Sequence, residues 1–271
     1  MSRHDDILTH LGKCTIFGNN IGFGEQGATL SKMPKSIFVC PDIEKARMMK
    51  SQLDALHCKC VLIDDFERLF TLSKYQSHEN RHDLIHAIYQ LTATDSILIS
   101  TPNIFFLSLY DISNFKNNIL TLNKNENYDL STIIEKLVYL GYKKVDTVST
   151  PGEFAHRGDI IDIFNIHDTN PIRLDFFDTE LESIYSFDFV TFEHLDNHQS
   201  IDILPNKLTI LSDSDKKSIL DNLSQYKNLD NTILDLIDKI DRDEDVPTEF
   251  LYPFTDNIST IMDLEIPIVI S

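Results

Sequence analysis

The amino-acid sequence predicts an α/β fold in which a parallel-sheet domain is interrupted by a smaller α+β domain that is mainly antiparallel. Apolar strands alternate with amphipathic helices between residues 36 and 100, and short strands with frequent turns follow between residues 145 and 204. A last apolar strand at residues 266–270 indicates that the chain returns to the first sheet. The predicted bounds are residues 1–122 for the first part of the parallel-sheet domain, 123–210 for the inserted domain and 211–271 for a return segment that completes the first domain.

The first domain is predicted from strands that are apolar along their whole length. Such runs occupy residues 36–40, 60–63 and 96–100. Asp42 caps a helix with apolar residues at every third or fourth position, and a second helix covers residues 80–92. Strands that are apolar throughout and separated by helices favour a parallel sheet covered on both faces.

The inserted domain is predicted from a change in pattern after a polar boundary at residues 116–128. The helix that follows ends at Gly141. Short strands are then separated by turn residues, namely Pro151-Gly152, Gly158, Asn170-Pro171 and Asp178-Thr179. This spacing is typical of antiparallel hairpins. Two acidic amphipathic helices at residues 214–226 and 231–240 lead to the last strand.

Charge and hydropathy exclude several classes of protein. Lys and Arg number 24 and Asp and Glu number 43, which gives a formal net charge of −19. We therefore expect no tight nucleic-acid binding, because such binding needs a basic face. No apolar run approaches the roughly 20 residues of a membrane-spanning helix, and the start lacks a signal pattern, so we expect a cytoplasmic protein without a membrane partner. A disulfide framework is not expected from Cys14, Cys40, Cys58 and Cys60.

A glycine-rich segment at residues 22–27 matches the dinucleotide-binding pattern G-x-G-x-x-G. Pro34 leaves too little chain for the helix whose N-terminus would bind a pyrophosphate. A glycine-rich loop of structural origin is the alternative to NAD binding.

The same segment also fits a degenerate phosphate loop. Gly22 and Gly27 have the required spacing and Thr29 is in place, but Ala28 stands where the motif requires lysine. The lysine ammonium neutralises the β and γ phosphates, and a methyl group cannot. Asp64 follows an apolar strand, where a magnesium-binding acid would lie. The sequence thus predicts a P-loop, RecA-like fold without hydrolysis and without a bound cofactor, and weak nucleotide binding stays open.

A zinc-protease pattern, H-E-x-x-H, occurs at His78, Glu79 and His82. Polar neighbours favour a solvated helix face, and no third ligand is well placed, so we expect no metal. The alternative function is an enzyme, a nucleotide-dependent or zinc-dependent hydrolase that uses the segment from Gly22 to Gly27 or these three residues.

Strand alternation brings three residues to one face of the inserted sheet. Arg173 and Phe177 lie on the same side of one strand, opposite Leu174, and Arg157 lies on the corresponding side of the preceding hairpin. Two arginines and an aromatic residue on an open sheet face are typical of a protein-binding hot spot. In the alternative interpretation, the arginines pair with neighbouring acids and Phe177 lies under a loop.

Residues 152–164, followed by 171–178 and 182–184, closely resemble the UvrB-like N-terminal region of the bacterial transcription-repair coupling factor (Mfd) family. The resemblance is specific between Gly141 and Pro205 and weaker elsewhere. It implies a UvrA-binding module that imitates UvrB in transcription-coupled nucleotide excision repair, with a phosphate loop that has lost its lysine.

The resemblance also implies site residues. The arginines and the phenylalanine by which that family contacts UvrA fall on Arg157, Arg173 and Phe177. The sequence departs from the family pattern in two places. Asp159 stands where the family usually has a small residue, and the run Phe192-Glu193-His194 stands where it usually has a Gln-Arg pair. The family's RNA-polymerase-binding domain and motor are absent from the sequence. We therefore expect contact with RNA polymerase only through missing domains, no motor activity, and UvrA binding that needs neither ATP nor polymerase.

Overall fold

The computed structural model describes residues 16–17, 21–33, 35–63, 78–226, 231–242, 244, 246, 251 and 254–271. The chain forms two units, of which the first comprises Met1–Lys116 with Ser259–Ser271 and the second comprises Asn117–Ile258. This division groups residues 211–258 with the second unit by packing, whereas the sequence assigns them to a return segment. The domain bounds given from the sequence stay a prediction.

Helices and strands alternate along the first part of the chain, and strands predominate in the middle. The strands are β1 Ile16–Phe17, β2 Ser36–Val39, β3 Cys60–Leu62, β4 Ile97–Ser100, β5 Ser108–Tyr110, β6 Leu120–Asn123, β7 Lys143–Lys144, β8 Glu153–Arg157, β9 Ile160–Phe164, β10 Ile172–Phe177, β11 Glu180–Phe187, β12 His194–Asn197, β13 Ser200–Ile203, β14 Ile258–Thr260 and β15 Ile268–Ile270. The α-helices are α1 Phe23–Leu30, α2 Ile43–Ala55, α3 His78–Ala93, α4 Leu130–Tyr139, α5 Asp213–Ser224 and α6 Asn231–Asp241. Shorter 3₁₀ turns cover Pro102–Phe106, Ile112–Asn118 and Ile261–Leu264.

The first unit contains a five-stranded sheet in the order β1-β15-β2-β4-β3, and each neighbouring pair is parallel. Strands β2 and β4 are buried along their whole length, as the continuous apolar runs predict. The last strand, β15, joins this sheet between β1 and β2, with Ile268 opposite Ile37. The predicted parallel sheet is confirmed.

Helix α2 shows how the sequence builds the core of the first unit. Its N-cap Asp42 accepts a hydrogen bond of 2.8 Å from the backbone N–H of Lys45, which satisfies a helix donor that would otherwise lack a partner. Ala46, Met49 and Leu53 recur at helical spacing and are buried in one cluster with residues of β2 and β4. The apolar stripe therefore fixes which face of the helix covers the sheet.

The second unit contains a six-stranded sheet in the order β12-β11-β10-β9-β8-β7. Its neighbouring strands are antiparallel except for β7 and β8. The predicted antiparallel sheet is therefore confirmed. Strands β6 and β13 form a separate antiparallel pair, with Leu120 opposite Ile203. This pair joins the beginning of the antiparallel region to its end.

A buried hydrogen-bond network follows the C-terminal end of helix α4 in this unit. The helix ends at Tyr139, and Gly141 follows its C-cap with a φ of 89°, in the left-handed region that glycine tolerates. The hydroxyl oxygen of the next residue, Tyr142, lies 2.9 Å from Asn165 Oδ1 and 2.8 Å from the carbonyl oxygen of Leu204. Burial raises the pKa of Tyr142 well above its ordinary value. The network ties the helix end to β9 and to the exit of β13.

In the part of the chain that the structure describes, no helix is both long and apolar enough to span a lipid bilayer.

Candidate functional site

The candidate site is one face of the antiparallel sheet in the second unit. Strands β8, β9 and β10 pair directly, so side chains alternate between a buried face and a second face that is only partly covered. Phe154, Ile161 and Leu174 occupy the buried face and are fully enclosed. The opposite face carries Arg157 and Arg173, as strand alternation predicts. We call this second surface the arginine face, and its further members are Asp162 and Phe177.

Arg173 is fixed by contacts on both sides of its strand. Asp162 lies directly opposite on β9, and its two carboxylate oxygens accept hydrogen bonds of 2.6 Å from Nε and 2.8 Å from Nη2 of Arg173. The guanidinium carbon also lies 4.8 Å from the centroid of the Phe187 ring, a cation–π distance. The hydrogen bonds to Asp162 are the main reason that the pKa of Arg173 is raised. Arg173 is therefore held in a single orientation.

Asp162 is a functional candidate that the sequence prediction missed. Its side chain is only 4% exposed, and such burial is costly for a carboxylate unless a cation pairs with it. The run Ile160-Ile161-Asp162-Ile163-Phe164 did contain a signal, because one acid interrupts an otherwise apolar strand. The part of the alternative interpretation in which the arginines pair with a neighbouring acid is correct for Arg173.

Arg157 lies beside this ion pair but is much more exposed. Its Nη2 is 4.0 Å from Asp162 Oδ2 and donates a 3.4 Å hydrogen bond to Thr147 Oγ1. The Arg157 side chain is 58% exposed. A pocket of about 120 Å³ lies between the two arginines and is lined by Ala155, Arg157, Ile160, Asp162 and Arg173. The face thus offers a concave site with one fixed and one exposed guanidinium group.

Phe177 ends strand β10 on the arginine face and is 72% exposed. The alternative interpretation, in which a loop covers Phe177, is wrong. The next residue, Asp178, has a φ of 58° in the turn to β11, and Glu180 is the register partner of Phe177. Because nothing in the described part of this unit buries the ring, Phe177 is available to a partner.

A turn at residues 188–193 adds exposed apolar residues at the other end of the sheet. Val190 and Phe192 are exposed, and the Phe192 ring stacks on Phe187 at a centroid distance of 6.1 Å. Asp188 Oδ1 accepts hydrogen bonds from the backbone N–H groups of Val190 and Thr191, which shapes the turn. This turn therefore presents apolar surface to solvent beside the end of β11.

The predicted phosphate loop has a different local structure from the one expected. Gly22 is the N-cap of α1, and Gly27, Ala28 and Thr29 lie inside that helix. The expectation of a loop is therefore wrong. The helix begins at Phe23, before Gly27, and ends at Leu30, so only a short stretch of helix follows Gly27, as the position of Pro34 predicts. The backbone N–H of Gly22 donates to Glu25 Oε2 at 3.3 Å, so a carboxylate occupies the helix N-terminus. Asp64 lies outside the described residues.

Gly27 is explained by helix packing. A Cβ atom at this position would overlap the end of the Gln52 side chain, which reaches over from α2. The same Gln52 Nε2 donates a 3.0 Å hydrogen bond to the carbonyl oxygen of Gly24. The glycine thus allows the close approach of α1 and α2.

The H-E-x-x-H pattern falls at the start of α3. The side chains of His78 and Glu79 lie outside the described residues. His82 is only 7% exposed, so the prediction of a solvated face is wrong at this position. Among the residues that the structure describes, no group of three or more His, Cys, Asp or Glu residues could bind a metal ion.

Comparison with known proteins finds a family model that matches part of the second unit. Residues 120–208, which contain the whole arginine face, match the model described as the UvrB interaction domain. This segment is therefore similar to a UvrB interaction domain.

The chain is also similar to particular proteins, the transcription-repair-coupling factors. It is 42% identical over 95 residues to that of Staphylococcus aureus (strain bovine RF122 / ET3-1), which covers 35% of this chain and 8% of the relative. It is 29% identical over 148 residues to that of Bacillus subtilis (strain 168), which covers 54% of this chain and 13% of the relative. The resemblance to this family is confirmed, and the matched region is a small part of each relative.

Proposed function

We propose that this chain is a UvrA-binding module of nucleotide excision repair that imitates UvrB and has no motor activity of its own. The observation that carries the proposal is the arginine face, which lies within the UvrB interaction domain match and presents Arg157 and Phe177 to solvent. We assign UvrA contact to Arg157, Arg173 and Phe177. A role in DNA repair accords with the names of the relatives.

The chemistry of the arginine face supports protein binding. An exposed phenylalanine ring loses unfavourable hydration only when a partner covers it. Arginine and aromatic side chains are enriched at the centres of protein interfaces, where a few residues provide most of the binding energy. Arg173 is already oriented by Asp162 and Phe187, so little conformational entropy is lost when it binds.

The remaining parts of the proposal concern the rest of the chain. We infer that the first unit is a RecA-like domain whose phosphate loop has degenerated, which is supported by its parallel sheet, by Ala28 in place of lysine and by helix α1 in place of the loop. The net charge of −19 supports the absence of tight nucleic-acid binding. We propose a cytoplasmic location and contact with RNA polymerase only through further domains of the family. No observation favours the hydrolase alternative.

The experiment that tests this proposal is a binding titration of the full chain with UvrA. Replacing Phe177 by Ala should weaken binding by about 2 kcal/mol or more, as truncation of a hot-spot residue does. Arg157→Ala and Arg173→Ala should have similar effects. Val138→Ala is the matched control, because Val138 is an exposed apolar residue on helix α4, outside the strands of the arginine face. Unchanged affinity in all three variants, with folding intact, would exclude the assigned site.

A second measurement concerns ATP. We expect no hydrolysis, with or without DNA, because Ala28 cannot neutralise phosphate charge and Glu25 places a carboxylate at the N-terminus of α1. A hydrolysis assay on the full chain checks this. Turnover that disappears on Asp64→Ala would contradict it and support the hydrolase alternative.

A further inference from the structure

We propose that the pocket between Arg157 and Arg173 receives one carboxylate side chain of UvrA, and that Asp162 is the positioning residue that orients both guanidinium groups toward it. The inference rests on the proposed function, since it names the chemistry by which the same site would recognise its partner. It assigns a role to Asp162, which the sequence resemblance leaves without one.

The geometry of the pocket suits a small anion. Its volume is about 120 Å³, and its polar lining consists of Arg157, Arg173 and Asp162. Guanidinium groups present N–H donors in a planar fork that matches a carboxylate. Among the described residues, Arg157 makes only a long contact with Asp162 and one 3.4 Å hydrogen bond to Thr147, so most of its donors are available.

The charge of the pocket selects a single carboxylate. Among the side chains that line the pocket, two arginines and one aspartate leave one uncompensated positive charge, which one carboxylate neutralises. A nucleic acid would bring many phosphates to the same surface. The strands and turns around the pocket are acidic, with Asp159, Asp175, Asp178, Glu180 and Glu182. Their charges and the net charge of −19 would repel a polyanion, whereas one carboxylate on a protein surface can enter.

Asp162 gives the pocket its shape. It lies on the strand between the two that carry the arginines, opposite Arg173 and opposite Ala155. Its oxygens accept two hydrogen bonds from Arg173, and Oδ2 also lies 4.0 Å from Arg157. Without this anion, two like charges would face one another across the pocket and would turn away. The buried carboxylate therefore allows two cations to converge on one ligand.

The positioning role and simple electrostatics predict opposite changes in affinity for UvrA when Asp162 loses its charge. If only charge mattered, removing any acid near the pocket would strengthen binding to an acidic partner. Asp162→Asn should instead weaken UvrA binding by about tenfold, because the guanidinium groups lose their orientation. Asp175→Asn is the matched control, since Asp175 lies on the same face of β10 and forms no ion pair among the described residues. It should leave the affinity unchanged or slightly increase it.

The measurement is calorimetric titration of UvrA with the full chain at low and high salt. Thermal unfolding of each variant checks its folding. Affinity of folded Asp162→Asn equal to or higher than that of the unmodified chain would overturn the positioning role.

A double-mutant cycle identifies the ligand. Arg157→Gln removes the more exposed guanidinium, which should not impair folding, and should reduce affinity by about tenfold and weaken the salt dependence. Acidic residues of UvrA are changed one at a time to Asn or Gln, with and without Arg157→Gln. One UvrA carboxylate should show strongly non-additive effects. Additive effects at every carboxylate would overturn the pocket assignment while leaving UvrA binding intact. Absence of any binding by the unmodified chain would overturn the proposed function, and the inference with it.

Discussion

Arg173 illustrates how far a single side chain can be predicted from sequence. Alternation along its strand places it on the same face as Phe177, and the structure has this arrangement. The hydrogen bonds with Asp162 could not be predicted, because they depend on the register between β9 and β10. A shift of one residue would have moved the acid to the buried face.

At Gly27 both the sequence motif and the structure require glycine, but for different reasons. The motif interpretation requires glycine so that the backbone can approach a phosphate. In the structure, the missing Cβ leaves room for the end of the Gln52 side chain. The spacing of the glycines is the same in both interpretations, so sequence alone does not separate them.

Two glycine variants in α1 test the packing explanation. Gly24→Ala should increase the free energy of unfolding by about 0.5–1 kcal/mol, because Ala favours a helix and nothing lies within 4 Å of the new Cβ. Gly27→Ala should be less stable than Gly24→Ala by about 1 kcal/mol, because Gln52 must move and loses its hydrogen bond to Gly24. Urea denaturation measures both. In a Gln52→Ala background the difference should disappear, and its persistence would show that another contact requires Gly27.

At the scale of elements, the strands were predicted better than the first helix. Continuous apolar runs identified β2 and β4 because a buried parallel strand has no polar face. Helix α1 was missed because two of its eight residues are glycine, which disfavours a helix. Its stability comes from packing, since Gly27, Thr29 and Leu30 are buried. Local propensity does not contain that information.

Helix α3 gives a second example. Polar residues around the two histidines suggested a solvated face, but His82 lies three positions before the fully buried Ile85 and belongs to the same side of the helix. The side of the helix on which His82 lies determined its burial, and the average polarity of its sequence neighbours did not.

The hydroxyl group of Tyr142 connects the end of α4 to Leu204, the residue that follows β13. Tyr142→Phe should lower the free energy of unfolding by about 1–3 kcal/mol, because it leaves the carbonyl of Leu204 and the Asn165 side chain with fewer partners in a buried site. Urea denaturation of the full chain is the measurement. Tyr226→Phe is the control, since that ring is exposed. Equal stability of the two variants would mean that water or a shifted Asn165 replaces the hydroxyl.

At the scale of the whole molecule, the proposed imitation of UvrB leads to a competition. If both proteins use one surface of UvrA, adding this chain to a complex of UvrA with labelled UvrB should displace UvrB, without ATP or RNA polymerase. The Phe177→Ala variant should displace it far less effectively, because the exposed ring is one of the contacts that we propose. Fluorescence anisotropy of the labelled UvrB follows the exchange. A stable complex of all three proteins would show that they dock at different places.

Strand β15 lies between β1 and β2, so the first sheet can be completed only after β15 has been synthesised. Strands β2, β3 and β4 leave the ribosome early, but the neighbour that β2 requires on its other side is made only after the entire second unit. Until then, the backbone N–H and C=O groups along that edge of β2 have no strand to pair with, and an open edge of this kind favours association with other chains. The second unit is continuous in sequence and does not wait for β15. A growing chain can therefore complete the antiparallel sheet that carries the arginine face while its first sheet is still open.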